Sequence, residues 1–159
     1  MFYGAAVFDP LLIIAQIVSM QSLHYLSLGL LQWLLLGPYV PNYSLYYFFD
    51  YHAVNVHKFS GWMVIVSFLA NSVAGAGYLC LVVERAKKCL DFTATLYITH
   101  LLFCVFHTGM PANLEWWVLQ FTGLVIMAVL GEWLCMRREM REIPLSGLNW
   151  GNKARQPSK

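Results

Sequence analysis

Charge is what this sequence has least of. Among 159 residues there are ten Lys and Arg and eight Asp and Glu, together 11%, where a soluble domain carries about a quarter. With 59% of its residues hydrophobic, the chain is excluded from the ordinary soluble class. A net charge of +2 with no basic stripe offers nothing to grip a phosphate backbone, so no nucleic-acid partner is expected. Cysteine is sparse too: Cys80, Cys89, Cys104 and Cys135 lie in or beside apolar runs without CxxC spacing, which argues for reduced thiols and against a disulfide framework. The first nine residues hold no Lys or Arg, so the basic front of a signal peptide is missing. Signatures of catalysis are missing as well. GxSxG, HExxH and a glycine-rich phosphate loop do not occur, and no acid is placed to orient a histidine. The chain is therefore expected not to be an enzyme and to carry no cofactor.

What is present is a series of long apolar runs. Asp9-Pro10 opens the first: Asp caps free N–H groups and Pro fits the first helical position. No charge then appears from residue 11 to residue 36, more than the roughly 20 residues that cross hydrocarbon. Gly37-Pro38 and Pro41-Asn42 end it. Further runs give spans at about 59–83, 92–108 and 114–133, the first being 10–36. Gly109-Met110-Pro111-Ala112-Asn113 makes a tight turn between the last two, followed by Trp116 and Trp117 at the interface. The expected fold class is all-α: a polytopic membrane protein, a bundle of four transmembrane helices occupying residues 1–145. Residues 146–159 read as a disordered cytosolic tail.

Orientation hangs on the stretch LCLVVERAKKCLDF at 79–92, the one basic cluster inside the body of the chain. Three Lys and Arg lie in this turn, six in the tail from Arg137, and only Lys58 in the connectors on the other side. Basic residues near spans favour the cytosol, so turn, tail and both termini are expected there.

The connector 37–58 is aromatic, with Tyr39, Tyr43, Tyr46, Tyr47, Phe48, Phe49 and Tyr51, and is expected to lie on the bilayer surface. It contains a glycosylation tripeptide at Asn42-Tyr43-Ser44. Span two gathers Ser60, Ser67, Asn71 and Gly75 on one face, as it does Ala70 and Ala74; small residues let membrane helices approach closely.

Polar residues inside the spans are the candidates for chemistry. His100, Cys104 and His107 share a face of span three, but one helix supplies only part of a zinc site and no second cluster completes it. Gln16, Gln21, His24 and Gln32 form a polar sector on span one, suited to hydrogen bonds between helices; the internal repeat and broken helices of a transporter are missing. Asp9, Asp91 and Glu132 all fall at the expected cytosolic boundary. Asp9 and Asp91 suit helix N-termini, whereas Glu132 stands near a C-terminus and calls for a basic neighbour such as Arg137, Arg85 or Lys88. Cys89 and Cys135 lie beside the same boundary, where S-acylation occurs.

Four motifs in order resemble the Sys-one family of Golgi membrane proteins. They are Asp9-Pro10-Leu11-Leu12-Ile13 with Gln16-Ile17 and Gln21; Cys89-Leu90-Asp91-Phe92-Thr93 with His100; Gly131-Glu132 with Leu134-Cys135-Met136-Arg137; and Glu142-Ile143-Pro144-Leu145. The resemblance covers spans one, three and four and the proximal tail. Span two agrees in character only, and the aromatic connector and the last residues depart. The resemblance implies a four-span, non-catalytic, multi-pass protein of the trans-Golgi membrane. It would be the receptor for an Arf-related small GTPase, engaging the acetylated N-terminal segment and supporting endosome-to-Golgi traffic and golgin recruitment. Combined with the charge pattern, it makes Asp9, Gln16, Asp91 and Glu132 the expected partner-binding residues. Two other classes stay open: a metal-dependent membrane enzyme at His100 and His107, and a small transporter with a midplane cavity.

Overall fold

The computed structural model describes residues 10–40, 44–83 and 85–141. Five α-helices follow one another: α1 (Pro10–Leu36), the four-residue α2 (Tyr46–Phe49), α3 (Phe59–Val82), α4 (Cys89–Thr108) and α5 (Leu114–Arg141). Short 3-10 turns stand at Tyr51–Ala53 and Ala86–Lys88, and there is no strand among the described residues. Four helices are long and apolar enough to cross a membrane. The reason is the one read from the sequence: in hydrocarbon, a helix satisfies its own backbone groups, so an uncharged run of this length has no cheaper conformation. Between α4 and α5, Gly109 takes φ 91°, a left-handed value that residues with a Cβ rarely adopt. The chain can therefore reverse there in a few residues.

The helices pack in the cyclic order α1, α3, α5, α4: α3 lies against both α1 and α5, while α4 closes the ring by touching α5 and, more lightly, α1. Helices α3 and α4 are joined by the short basic link yet stand diagonally, because the turn Ala86–Lys88 packs onto α5. Two apolar cores fill the two ends. Near the basic turn, Met20, Leu79, Phe92, Leu96 and Met127 pack together; at the other end, Leu28, Leu36, Val64, Phe68 and Trp116 do so.

A polar layer lies between the cores. Asn71 Nδ2 reaches His24 Nδ1 at 3.1 Å and the His24 carbonyl at 3.2 Å, and Ser27 Oγ donates to Asn71 Oδ1 at 2.5 Å. Ser72 Oγ and Tyr97 Oη are 2.8 Å apart, and Tyr25 Oη lies 3.2 Å from His100 Nδ1. These bonds cross between helices, as the polar sector of span one requires. His100 and Cys104 do come together, with Nε2 3.6 Å from Sγ, but His107 is exposed and turns to Thr108. No group of three metal-ligating side chains occurs among the described residues.

The small-residue face of α3 is buried at Ser67, Asn71 and Gly75 and only half-buried at Ser60; Ala70 is exposed. That face serves two neighbours. Asn71 turns to α1, while a Cβ placed on Gly75 would sit 2.9 Å from Met127 Sδ on α5. Helix α5 replies with glycines of its own. A Cβ on Gly123 would come within 2.6 Å of Tyr97 Oη, and one on Gly131 within 2.7 Å of Leu79 Cδ1. Three glycines thus set the spacing of α5 from α3 and α4.

Two features add to what the sequence offered. The connector folds back onto the bundle. Gln32 Nε2 and Thr108 Oγ1 donate to the carbonyls of Tyr47 and Phe49, each at 3.1 Å. The Phe49 ring lies 5.9 Å from Tyr25 and 6.0 Å from His100, and Ala53 and Val54 are buried. Aromatic rings gain more from this apolar socket than from water, so they turn inward. Helix α5, in turn, does not stop with the hydrophobic run near Trp133 but continues to Arg141. The residues of its extra turns, Arg, Glu and Met, are strong helix formers. Asn42 and the tail from residue 142 lie outside the described residues.

Candidate partner-docking site at the basic-turn end

The basic turn is tied down from both flanking helices. As α3 ends, Gln16 Nε2 of α1 donates to the Val82 carbonyl at 2.9 Å. Arg138 Nη1 of α5 donates to the Cys80 carbonyl at 3.0 Å, and Glu139 Oε1 accepts from the Ala86 N–H at 3.1 Å. Each bond satisfies a main-chain group that the end of a helix leaves without a partner. The last two belong to the turns that α5 adds beyond its apolar run. Under them, Cys89 and Cys135 meet with their sulfurs 3.4 Å apart and no exposure. A fatty acyl chain on either sulfur has no room, which removes both as acylation sites in this packing.

Above these ties the surface is charged. Arg85, Lys87, Lys88, Asp91 and Glu132 are all exposed. Asp91 stands in the first turn of α4, where its charge complements the helix dipole. Glu132 does not have the basic neighbour that the sequence led us to expect. The single ion pair among the described residues joins His52 to Asp50 at the opposite end of the bundle. Of the expected partners, Arg137 lies over the Trp133 ring at 4.7 Å, and Arg85 and Lys88 are exposed and outside any ion pair among the described residues. The need itself has gone. Because α5 runs on to Arg141, Glu132 is more than two turns from the C-terminus, beyond the reach of the terminal dipole.

Of the four expected partner-binding residues, Gln16, Asp91 and Glu132 therefore sit at this end of the bundle on three different helices, with no bond joining them to one another among the described residues. Asp9 lies outside the described residues. Gln16 is half-buried and its Nε2 is occupied, while no hydrogen bond engages its Oε1 among the described residues. Sequence reasoning missed Arg138 and Glu139 as fasteners of the turn, and missed Gly123 and Gly131 as spacers. The glycines carried a readable signal: eight residues apart, they fall on one face of a helix. Glu139 carried none, since it bonds a main-chain N–H that could come from any segment.

A ring of four apolar helices, with a polar layer between two apolar cores and a cluster of exposed charges at the basic turn, defines a polytopic integral membrane protein. The chain belongs to the SYS1 family, described as an integral membrane protein S linking to the trans Golgi network, whose match spans residues 3–145. It is 43% identical over 145 residues to Protein SYS1 homolog of Dictyostelium discoideum, covering 91% of this chain and 62% of the relative. Protein SYS1 homolog of Nematostella vectensis is 40% identical over 150 residues, 93% of this chain and 94% of that one. Protein SYS1 of Saccharomyces cerevisiae is 26% identical over 135 residues, 84% of this chain and 66% of the yeast protein. The chain thus spans nearly all of the Nematostella relative but just under two thirds of the other two. No solved structure matches it. The family is one of trans-Golgi membrane proteins and is not described as a family of enzymes.

Proposed function

We propose that the protein is a Golgi membrane receptor that recruits an Arf-related small GTPase and so supports endosome-to-Golgi traffic and golgin recruitment. One observation carries the reading. The main chain at the basic-turn end is held by side-chain hydrogen bonds from α1 and α5, and this end leaves Lys87, Lys88, Asp91 and Glu132 exposed and outside any ion pair among the described residues. A surface already ordered loses little freedom when a partner arrives, so more of the contact energy appears as affinity. An acetylated N-terminal segment is uncharged at its end and binds through apolar contact and hydrogen bonds. Gln16 Oε1 accepts one of them, while Asp9, Asp91 and Glu132 form the rim and pair with basic residues of the GTPase, a helix-in-groove mode.

The reading requires this end, with both termini, to face the cytosol. In sealed Golgi vesicles, tags at both termini should be open to protease while a cleavage site placed in 37–58 is protected. Protected termini would reverse the orientation and remove the site.

The docking itself is tested by Glu132→Gln, which keeps size and hydrogen bonding and removes the charge. The variant should fold and reach the Golgi, and its recruitment of the GTPase should fall about two- to fivefold, as suits a rim pair in water. Recruitment equal to wild type would show that this charge takes no part. Glu132→Ala alone decides less, because it changes shape as well as charge.

A further inference from the structure

We propose that the groove between α4 and α5, near the end opposite the basic turn, binds a membrane sterol whose hydroxyl pairs with Gln120. The groove measures about 160 Å³ and is walled by Tyr97, Ile98 and Leu101 on one helix and Trp117, Gln120 and Phe121 on the other. Gln120 is 8% exposed, and its Nε2 is buried without a hydrogen-bond partner. Its Oε1 also makes no bond among the described residues. Buried amides are nearly always paired, so a buried amide turned to a groove calls for a ligand group.

The surroundings narrow the ligand. The groove opens sideways between two membrane helices, so its occupant comes from the bilayer. No ionisable group but the Tyr97 phenol lines it, which disfavours a charged headgroup. The other polar tips are engaged: Trp117 Nε1 donates to the Pro111 carbonyl at 3.0 Å, and Tyr97 Oη bonds Ser72 Oγ at 2.8 Å. Only the amide is left, with a donor and an acceptor side by side. A hydroxyl both donates and accepts, matching the pair, whereas an ester carbonyl only accepts. Ile98, Trp117 and Phe121 are 58%, 41% and 69% exposed and offer a broad apolar wall to one face of a rigid ring system. Gln120 lies one turn inside Trp117, an exposed indole of the kind that marks the membrane interface, so a hydroxyl there remains just beneath the headgroups.

The test uses the full chain in lipid nanodiscs with a cholesterol analogue that keeps its hydroxyl and carries a photoreactive diazirine on the ring system. Labelled peptides should map to 97–124, and excess cholesterol should compete, whereas cholesterol 3-methyl ether, ceramide and diacylglycerol should compete at least about fivefold less well. Gln120→Leu should cut labelling about five- to tenfold, the effect of losing one or two hydrogen bonds, and without sterol it should melt no lower than wild type. Labelling elsewhere, equal competition by the methyl ether, ceramide or diacylglycerol, or unchanged labelling of Gln120→Leu would each overturn the proposal. Should that variant fail to fold, the competition series on the wild-type chain still decides.

Discussion

Replacing Gly75 by leucine is expected to prevent stable assembly of the bundle. At Gly75, α3 lies directly against Met127 of α5: a Cβ there would lie 2.9 Å from Sδ and 3.0 Å from Cε. An alanine is tolerable at a cost of about 1 kcal/mol, because the thioether is flexible and can withdraw. A leucine adds three more carbons into a site where Met127 and Leu79 are already wholly buried, and separating the helices costs about 3 kcal/mol or more. Lipid tails are as apolar as leucine and give membrane helices no hydrophobic drive to associate, so packing lost here is not replaced. Ser67→Leu, at a position with no exposure, should behave similarly. Ala70→Gly, on the exposed side of α3, should change stability by no more than the roughly 1 kcal/mol of helix propensity. Thermal unfolding of purified protein in detergent, followed by size exclusion, ranks the four. Met127→Ala combined with Gly75→Leu should restore part of the loss. Equal melting of Gly75→Leu and Ala70→Gly would show that this face is not a helix contact.

The second large effect is expected at Asn71, the hub of the mid-bundle polar layer. Asn71→Leu removes the amide that holds the His24 ring and carbonyl and accepts from Ser27. Ser27 Oγ keeps the Leu23 carbonyl at 2.8 Å, so the damage falls on His24, 3% exposed and far from water. Leaving such a group unpaired costs about 1–3 kcal/mol. His24→Leu should cost a similar amount. The double variant should cost less than the two singles together, by about 1 kcal/mol, because the second change removes a partner already lost. Strict additivity in a detergent denaturation series would mean that the two side chains do not work as a pair.

Helix positions were legible in the sequence because hydrocarbon leaves so few options. An uncharged run long enough to cross must be helical, and Asp9-Pro10, Gly37-Pro38 and Gly109-Met110-Pro111 mark where such runs begin and end. Periodicity also showed which side of α3 turns inward, at Ser67, Asn71 and Gly75, and nine of the ten Lys and Arg fall in the basic turn and the tail. Motifs alone pointed to the family. Periodicity cannot show which neighbour an inward face meets. That Asn71 meets α1 while Gly75, one turn on, meets α5 follows from the cyclic order of all four helices, and that order depends on the basic turn packing against α5. For the same reason Gln120 reads in sequence as one more polar residue of a span, and only the packed bundle leaves its amide without a partner. Glu132 was misjudged because the span was assumed to end with its apolar run. Past the hydrocarbon, the end of α5 is set by water-soluble helix formers and by what Arg138 and Glu139 reach, Cys80 and Ala86 from the far side of the turn. Contacts of that range exist only once the chain has folded.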